Sequence, residues 1–131
     1  MNEMQSGKAL SILGIITGAG LVLFWIGFFT IGLAPENPPA CYFAYEHSFP
    51  LPDIILAMVL LAGGILSLKG RAAGRTLLVA GGGALVFLGV LDFSFNIQNG
   101  MYAISALDLV LNGFITLWCL GFGVVLAAKM E

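Results

Sequence analysis

Charge is what this chain has least of. Only 9% of its 131 residues are Asp, Glu, Lys or Arg, against roughly a quarter in soluble domains. A surface so poor in charge would aggregate in water, and the mean hydropathy of +1.03 points to lipid as the solvent. The five Lys and Arg residues form no run and do not interleave with aromatics, and the net charge is -2, so nothing supports a nucleic-acid partner. The two cysteines, Cys41 and Cys119, belong to no Cys-x-x-Cys pair. Cys119 lies roughly 20 Å along an apolar helix from the loop that holds Cys41, whereas a disulfide needs Cα atoms within about 7 Å. Thiol-oxidoreductase chemistry therefore has little support. There is no nucleophile elbow, no His-Glu-x-x-His and no phosphate loop, and no cofactor is expected. Cys41, Glu46, His47 and Asp53 could be tested as metal ligands, but one His and one Cys at loose spacing make a weak set, so no metal is expected.

What is abundant is apolar sequence. Segments at about 9–33, 53–68, 76–97 and 104–128 approach the ~20 residues that cross a hydrocarbon core. In lipid every backbone N–H and C=O needs an internal partner, and none of these segments alternates like a strand, so all are expected to be helices. The first exceeds the roughly 7–15 apolar residues of a signal peptide, and Pro35 after Gly32-Leu33-Ala34 would hinder cleavage, so it is expected to be retained. The expected fold is all-α: an integral membrane four-helix bundle, antiparallel and up-down, with residues 1–131 as one transmembrane domain. Lys8, Lys69, Arg71, Arg75 and Lys129 all fall on one side of it. The loops at 34–52 and 98–103 contain neither Lys nor Arg. The positive-inside rule then puts both termini in the cytoplasm, in a plasma or bacterial inner membrane. Glu36, Glu46, Asp53, Asp92 and Asp108 map to the outer side, while Glu3 and Glu131 share the basic one. Many unrelated small membrane proteins share this layout, so it carries no function by itself.

Each helix has a stripe of small or polar residues. The stripes are Ser11, Gly14, Gly18 and Trp25; then Asp53, Ala57, Leu60, Gly64 and Ser67; then Gly81, Gly82, Leu85, Gly89, Asp92 and Asn96; and last Ser105, Asp108, Asn112, Thr116, Cys119 and Gly123. Small residues facing inward are ordinary membrane-helix packing, with Gly14-x-x-x-Gly18 as a close-contact motif. Val79, Val86, Phe87, Val90 and Leu91 are left for lipid. The lipid bilayer is the expected partner, and the Gly-rich faces also suit a partner membrane protein or a homo-oligomer.

The candidate chemistry lies on the outer side. Leu91-Asp92-x-x-x-Asn96 and Leu107-Asp108-x-x-x-Asn112 repeat one pattern, and a spacing of four puts each Asp and Asn on one helix face. Antiparallel packing would set Asp92 near the depth of Asn112 and Asn96 near that of Asp108, with Asp53 closing the patch. Two of the acids have ordinary explanations. Ser105-x-x-Asp108 resembles a capping box, and Asp53 follows Pro50-Leu51-Pro52 at a helix start, where acids are favoured. Asp92 has none. It lies roughly 6–8 Å inside the end of its helix, where the dipole disfavours negative charge. An acid at mid-span costs about 2.5–3.5 kcal/mol, somewhat less at this depth. It is read either as a site or as glue tied to Asn112, Asn96 or Trp25.

All five prolines flank the stretch Cys41–Phe49, which is read as an interfacial aromatic anchor or as a lid pointing Tyr45, Glu46 and His47 at the cluster. Gln98, Asn99 and Tyr102 would add neutral groups above it, beside an Asn-Gly turn. The leading expectation is a binding or accessory module with an outward-facing acidic pocket for a small polar ligand, a cation or a partner membrane protein. An oligomeric cation- or proton-coupled transporter or channel is the alternative. A membrane-embedded enzyme using Asp92 and Asp108 is the third, and the absence of a nucleophile leans against it.

Overall fold

The computed structural model describes residues 3–32 and 38–130, with backbone alone at 3–5. Leu33, Pro35, Glu36, Glu131 and the side chain of Glu3 lie outside the described residues. Among those described the chain is helical, without strands: α1 (Glu3–Thr30), α2 (Tyr42–Glu46), α3 (Pro50–Leu68), α4 (Ala72–Gln98) and α5 (Ala106–Lys129), with a 3-10 turn at Met101–Ala103 before α5. The four long helices are each long and apolar enough to cross a membrane.

The boundaries move outward from the apolar cores for local reasons. α3 begins at Pro50 rather than at Asp53. Proline fits the first helical turn, where backbone N–H groups have no intrahelical partner. The segment read as a loop thus holds both α2 and the first turn of α3. α4 begins at Ala72 rather than at residue 76, directly after an extended Arg71. Gly70 makes this sharp turn with a φ of 78°, a left-handed conformation that side chains resist. α5 begins one residue after Ser105, whose Oγ accepts a hydrogen bond from Asp108 N at 3.1 Å.

Packing follows chain order: α1 on α3, α3 on α4 and α4 on α5. Each pair is antiparallel by its contacts. Gly18 lies against Ala57 and Leu60, and Ser11 Oγ stands 2.8 Å from Ser67 Oγ. Gly63 meets Leu77 and Leu78, and Gly89 meets Cys119 and Leu120. Towards the end that carries Lys8, Lys69 and Lys129, the bundle is sealed by wholly buried Leu60, Leu78, Leu85 and Leu126. Towards the other end the core is aromatic, with Trp25, Phe28 and Tyr42 around a buried Met101. Phe87, Val90 and Leu91 are exposed, as lipid-facing residues should be. Val79 and Val86 are half-buried instead, Val79 against the leucine core and Val86 against Gly123.

Between α4 and α5 the close approach is reciprocal. A methyl group on Gly82 would stand 2.7 Å from the Gly123 carbonyl oxygen, and one on Gly123 would stand 2.7 Å from that of Gly82. Neither obstacle can move without shifting a helix. Gly82→Ala or Gly123→Ala should therefore cost about 1–3 kcal/mol, the usual range for overpacking. Gly121→Ala, with nothing within 4 Å of the added group, should be neutral or better. Thermal unfolding in detergent compares the three, and equal melting temperatures would refute the close-contact account.

Candidate functional site

The five basic residues and the carboxylates separate along the bundle. Lys8, Lys69, Arg71, Arg75 and Lys129 lie at or near one set of helix ends, and Glu46, Asp53, Asp92 and Asp108 at the other. Between α1 and α5 lies a cavity of about 440 Å³. These two helices are not among the closely packed pairs. A hydrogen bond from Trp118 Nε1 to Thr17 Oγ1, 2.9 Å long, ties them together near the floor of the cavity. Leu85, Leu88 and Cys119 also line the cavity, while Leu21, Leu111 and Ile115 form its apolar walls.

Its acidic end gathers side chains from four helices. Glu46, Asp53, Asp92, Asp108 and Asn112 all line it, and no Lys or Arg does. Asp53, 6% exposed, accepts a hydrogen bond of 2.8 Å from Trp25 Nε1. Its position in the first turn of α3 therefore explains only part of its role. Asp108 accepts a hydrogen bond of 2.7 Å from the hydroxyl of Ser105, the N-cap of α5, and lines the cavity as well. Asp92 is the electrostatic neighbour shared by Tyr42, Tyr45, Glu46, Asp53 and Cys119. Tyr45 and Asn96 stand close enough to interact with its carboxylate. The Tyr45 ring stacks on Phe95 at 3.7 Å, and its hydroxyl donates to the Leu91 carbonyl at 3.3 Å.

The structure rearranges the patch expected from the repeated Leu-Asp-x-x-x-Asn pattern. Continuing the contacts of Gly89 with Cys119 and Leu120 sets Asp92 near the depth of Thr116, about one turn from Asn112. Asn112 stays on the cavity, whereas Asn96 is buried away from it with Nδ2 lacking a well-formed hydrogen bond. Trp25 reaches the cavity but is tied to Asp53, not to Asp92. His47 does not point into the cavity. It stacks on Phe29 at 5.8 Å and sits edge-on to Phe28, which suits the anchor reading. Gln98, Asn99 and Tyr102 do not line the cavity either. Asn99 Nδ2 donates to Phe95 O at 3.0 Å, and Tyr102 reaches down to Thr116 Oγ1 at 2.9 Å. Both cysteines are free, Cys41 exposed and Cys119 buried. Among the described residues no three His, Cys, Asp or Glu side chains are grouped to hold a metal ion, Cys41, Glu46, His47 and Asp53 included.

Sequence reasoning missed Tyr42 and Phe49. Tyr42, Glu46 and Phe49 all line the cavity, and their spacing of four and three is that of one helix face. The signal was present, but it was hidden by prolines taken as marks of a loop. Phe24 and Trp118 also line the cavity, and nothing in the sequence analysis singled them out. No family model, curated protein or solved structure matches the chain.

The Trp25–Asp53 bond is open to direct test. Trp25→Phe keeps an aromatic ring against Phe24 and Phe28 and removes the donor together with part of the ring volume. Stability should fall by about 1–3 kcal/mol, because a buried acceptor is left unpaired. Trp25→Phe with Asp53→Leu should recover most of the loss. A double variant as unstable as the sum of its two single variants would refute the pairing.

Proposed function

We propose that the protein is a multi-pass membrane protein that works as a small binding module, its cavity taking a small ligand at the acidic end. The observation that carries this reading is convergence. Carboxylates from α2, α3, α4 and α5 and a tryptophan from α1 line one cavity of about 440 Å³. That size falls within the roughly 300–1,000 Å³ of small-molecule sites. Packing accounts for Asp53, bonded to Trp25, and for Asp108, at the N-cap of α5, but not for Asp92 or Glu46. A transporter or channel reading has less support, because beyond the cavity the bundle axis is filled by Leu60, Leu78 and Leu126. An enzyme reading has less support, because no histidine lines the cavity to activate the Cys119 thiol or to act as a general base.

The charge split supports an orientation. Basic residues are retained on the cytoplasmic side of small membrane proteins, so both termini lie in the cytoplasm and the acidic end faces outward. The two free cysteines make the test simple. In intact cells a membrane-impermeant maleimide should label exposed Cys41 and leave buried Cys119 unmodified. Labelling of Cys41 only after the cells are broken would reverse the orientation.

The binding reading is tested by mild purification and native mass spectrometry. A small molecule should remain at near-equal stoichiometry with the wild type and be lost from Asp92→Ala and from Gly20→Leu. Gly20 lines the cavity with nothing within 4 Å of an added Cβ, so the new side chain fills space without disturbing the helices. A small-molecule signal that is the same in all three proteins would overturn the proposal.

A further inference from the structure

The cavity has two features that an outward-facing polar pocket does not need. One is its mouth. Ile16 and Phe114 both line the cavity, yet they are 57% and 64% exposed, and Gly20 beside them is exposed too. Ile16 lies about 21 Å along α1 from Thr30, and Phe114 about 12 Å along α5 from Ala106. These depths belong to the hydrocarbon of a membrane about 30 Å thick, not to its water face. The gap between α1 and α5 is therefore a side door from lipid.

The other feature is the lining of the acidic end. Besides the four carboxylates it carries the rings of Phe24, Trp25, Tyr42 and Phe49. The faces of aromatic rings attract cations, and a cage of rings suits a substituted ammonium group, whose charge is spread over methyl or alkyl surfaces. Carboxylates drawn from water into such a site need a counter-charge, and the chain places no Lys or Arg there. The acids are not grouped to chelate a metal ion, so the cation that fits is larger than a metal. The remaining length of the cavity is apolar, from Leu21 to Ile115.

We infer that the ligand is a lipophilic organic cation: an amphiphile with a substituted ammonium head among the carboxylates and rings, and an apolar tail along the gap between α1 and α5, entering sideways from the membrane. This rests on the reading of the cavity as a ligand site and names the class of ligand. A zwitterionic phosphocholine head fits less well, because its phosphate would lie against Asp92 or Glu46.

Both tryptophans of the chain, Trp25 and Trp118, line the cavity, so intrinsic fluorescence reports its occupancy without a label. Protein in phosphatidylcholine nanodiscs is titrated with three tail-brominated amphiphiles of equal length: dodecyltrimethylammonium, dodecylphosphocholine and dodecanol. The expected result is saturable quenching by the trimethylammonium compound, at least about ten-fold tighter than by the other two. Asp92→Asn and Glu46→Gln should each weaken it while both proteins stay monodisperse. Gly20→Leu should abolish saturable quenching, and Gly83→Leu, on an open helix surface, should not. Equal saturable quenching by all three heads would overturn the cation assignment and leave the cavity as a ligand site. Quenching that rises linearly without saturation for all three would overturn both.

Discussion

Lipid gives helices no hydrophobic reason to meet, so this bundle depends on backbone-to-backbone approach at small residues. Gly82 against Gly123, Gly18 against Ala57 and Gly63 against Leu78 are among the places where helices come within reach of each other's main chain. These contacts join α1 to α3, α3 to α4 and α4 to α5, and no such seam joins α5 back to α1. Four helices linked in series around an axis leave one side less tightly closed. The Trp118–Thr17 hydrogen bond spans that side at a single point, and the cavity begins there. The site is thus a consequence of where the glycines stop.

The fold was legible because it follows from a few strong constraints. Apolar length and the need to satisfy every backbone group specify four helices, and small residues at helical spacing mark their inner faces. Buried Ser11, Gly14, Gly18 and Trp25 on α1 follow the expected stripe residue by residue. The site was half legible. Asp53, Asp92, Asp108, Asn112, Glu46 and Trp25 reach the cavity, and each could be noticed as a polar or amphipathic group at the same end of the chain's helices. His47, Gln98, Asn99 and Tyr102 do not reach it, although they share that end. Depth can be read from position in a helix, whereas direction in a connecting segment cannot. His47 turns to Phe28 and Phe29, and only the three-dimensional course of α2 decides that.

The register of α4 on α5 shows a different limit. The repeated Leu-Asp-x-x-x-Asn pattern suggested two matched pairs facing each other at equal depth. The glycine contacts slide the helices about one turn from that arrangement, since close backbone approach constrains position more strongly than polar pairing does. Asn96 therefore stands beside Asp92 but off the cavity, and Asn112 takes its place on the wall. Packing at Gly82 and Gly123, more than a turn away from either asparagine, selects which amide faces the ligand space.

Asp92 lies where a bundle built for stability alone would not put it. It sits in the last third of α4, against the helix dipole, and its neighbours Glu46 and Asp53 are acids as well. Tyr45 and Asn96 stand beside it, but no basic side chain lies on the cavity wall. An acid held as interhelical glue needs one good partner on a facing helix, as Asp53 has in Trp25. Asp92 instead stands where the electrostatic influence of several acidic and phenolic groups overlaps, at the edge of a space bounded by aromatic rings. Relief of that repulsion has to come from a proton or from a cation that enters the space. A bare metal ion needs closely spaced ligands, whereas a broad organic cation can lie among separated carboxylates and ring faces at once. The same dispersion of acids that fails to make a metal site therefore suits the larger cation, and the unsealed flank between α1 and α5 gives its apolar part a way in.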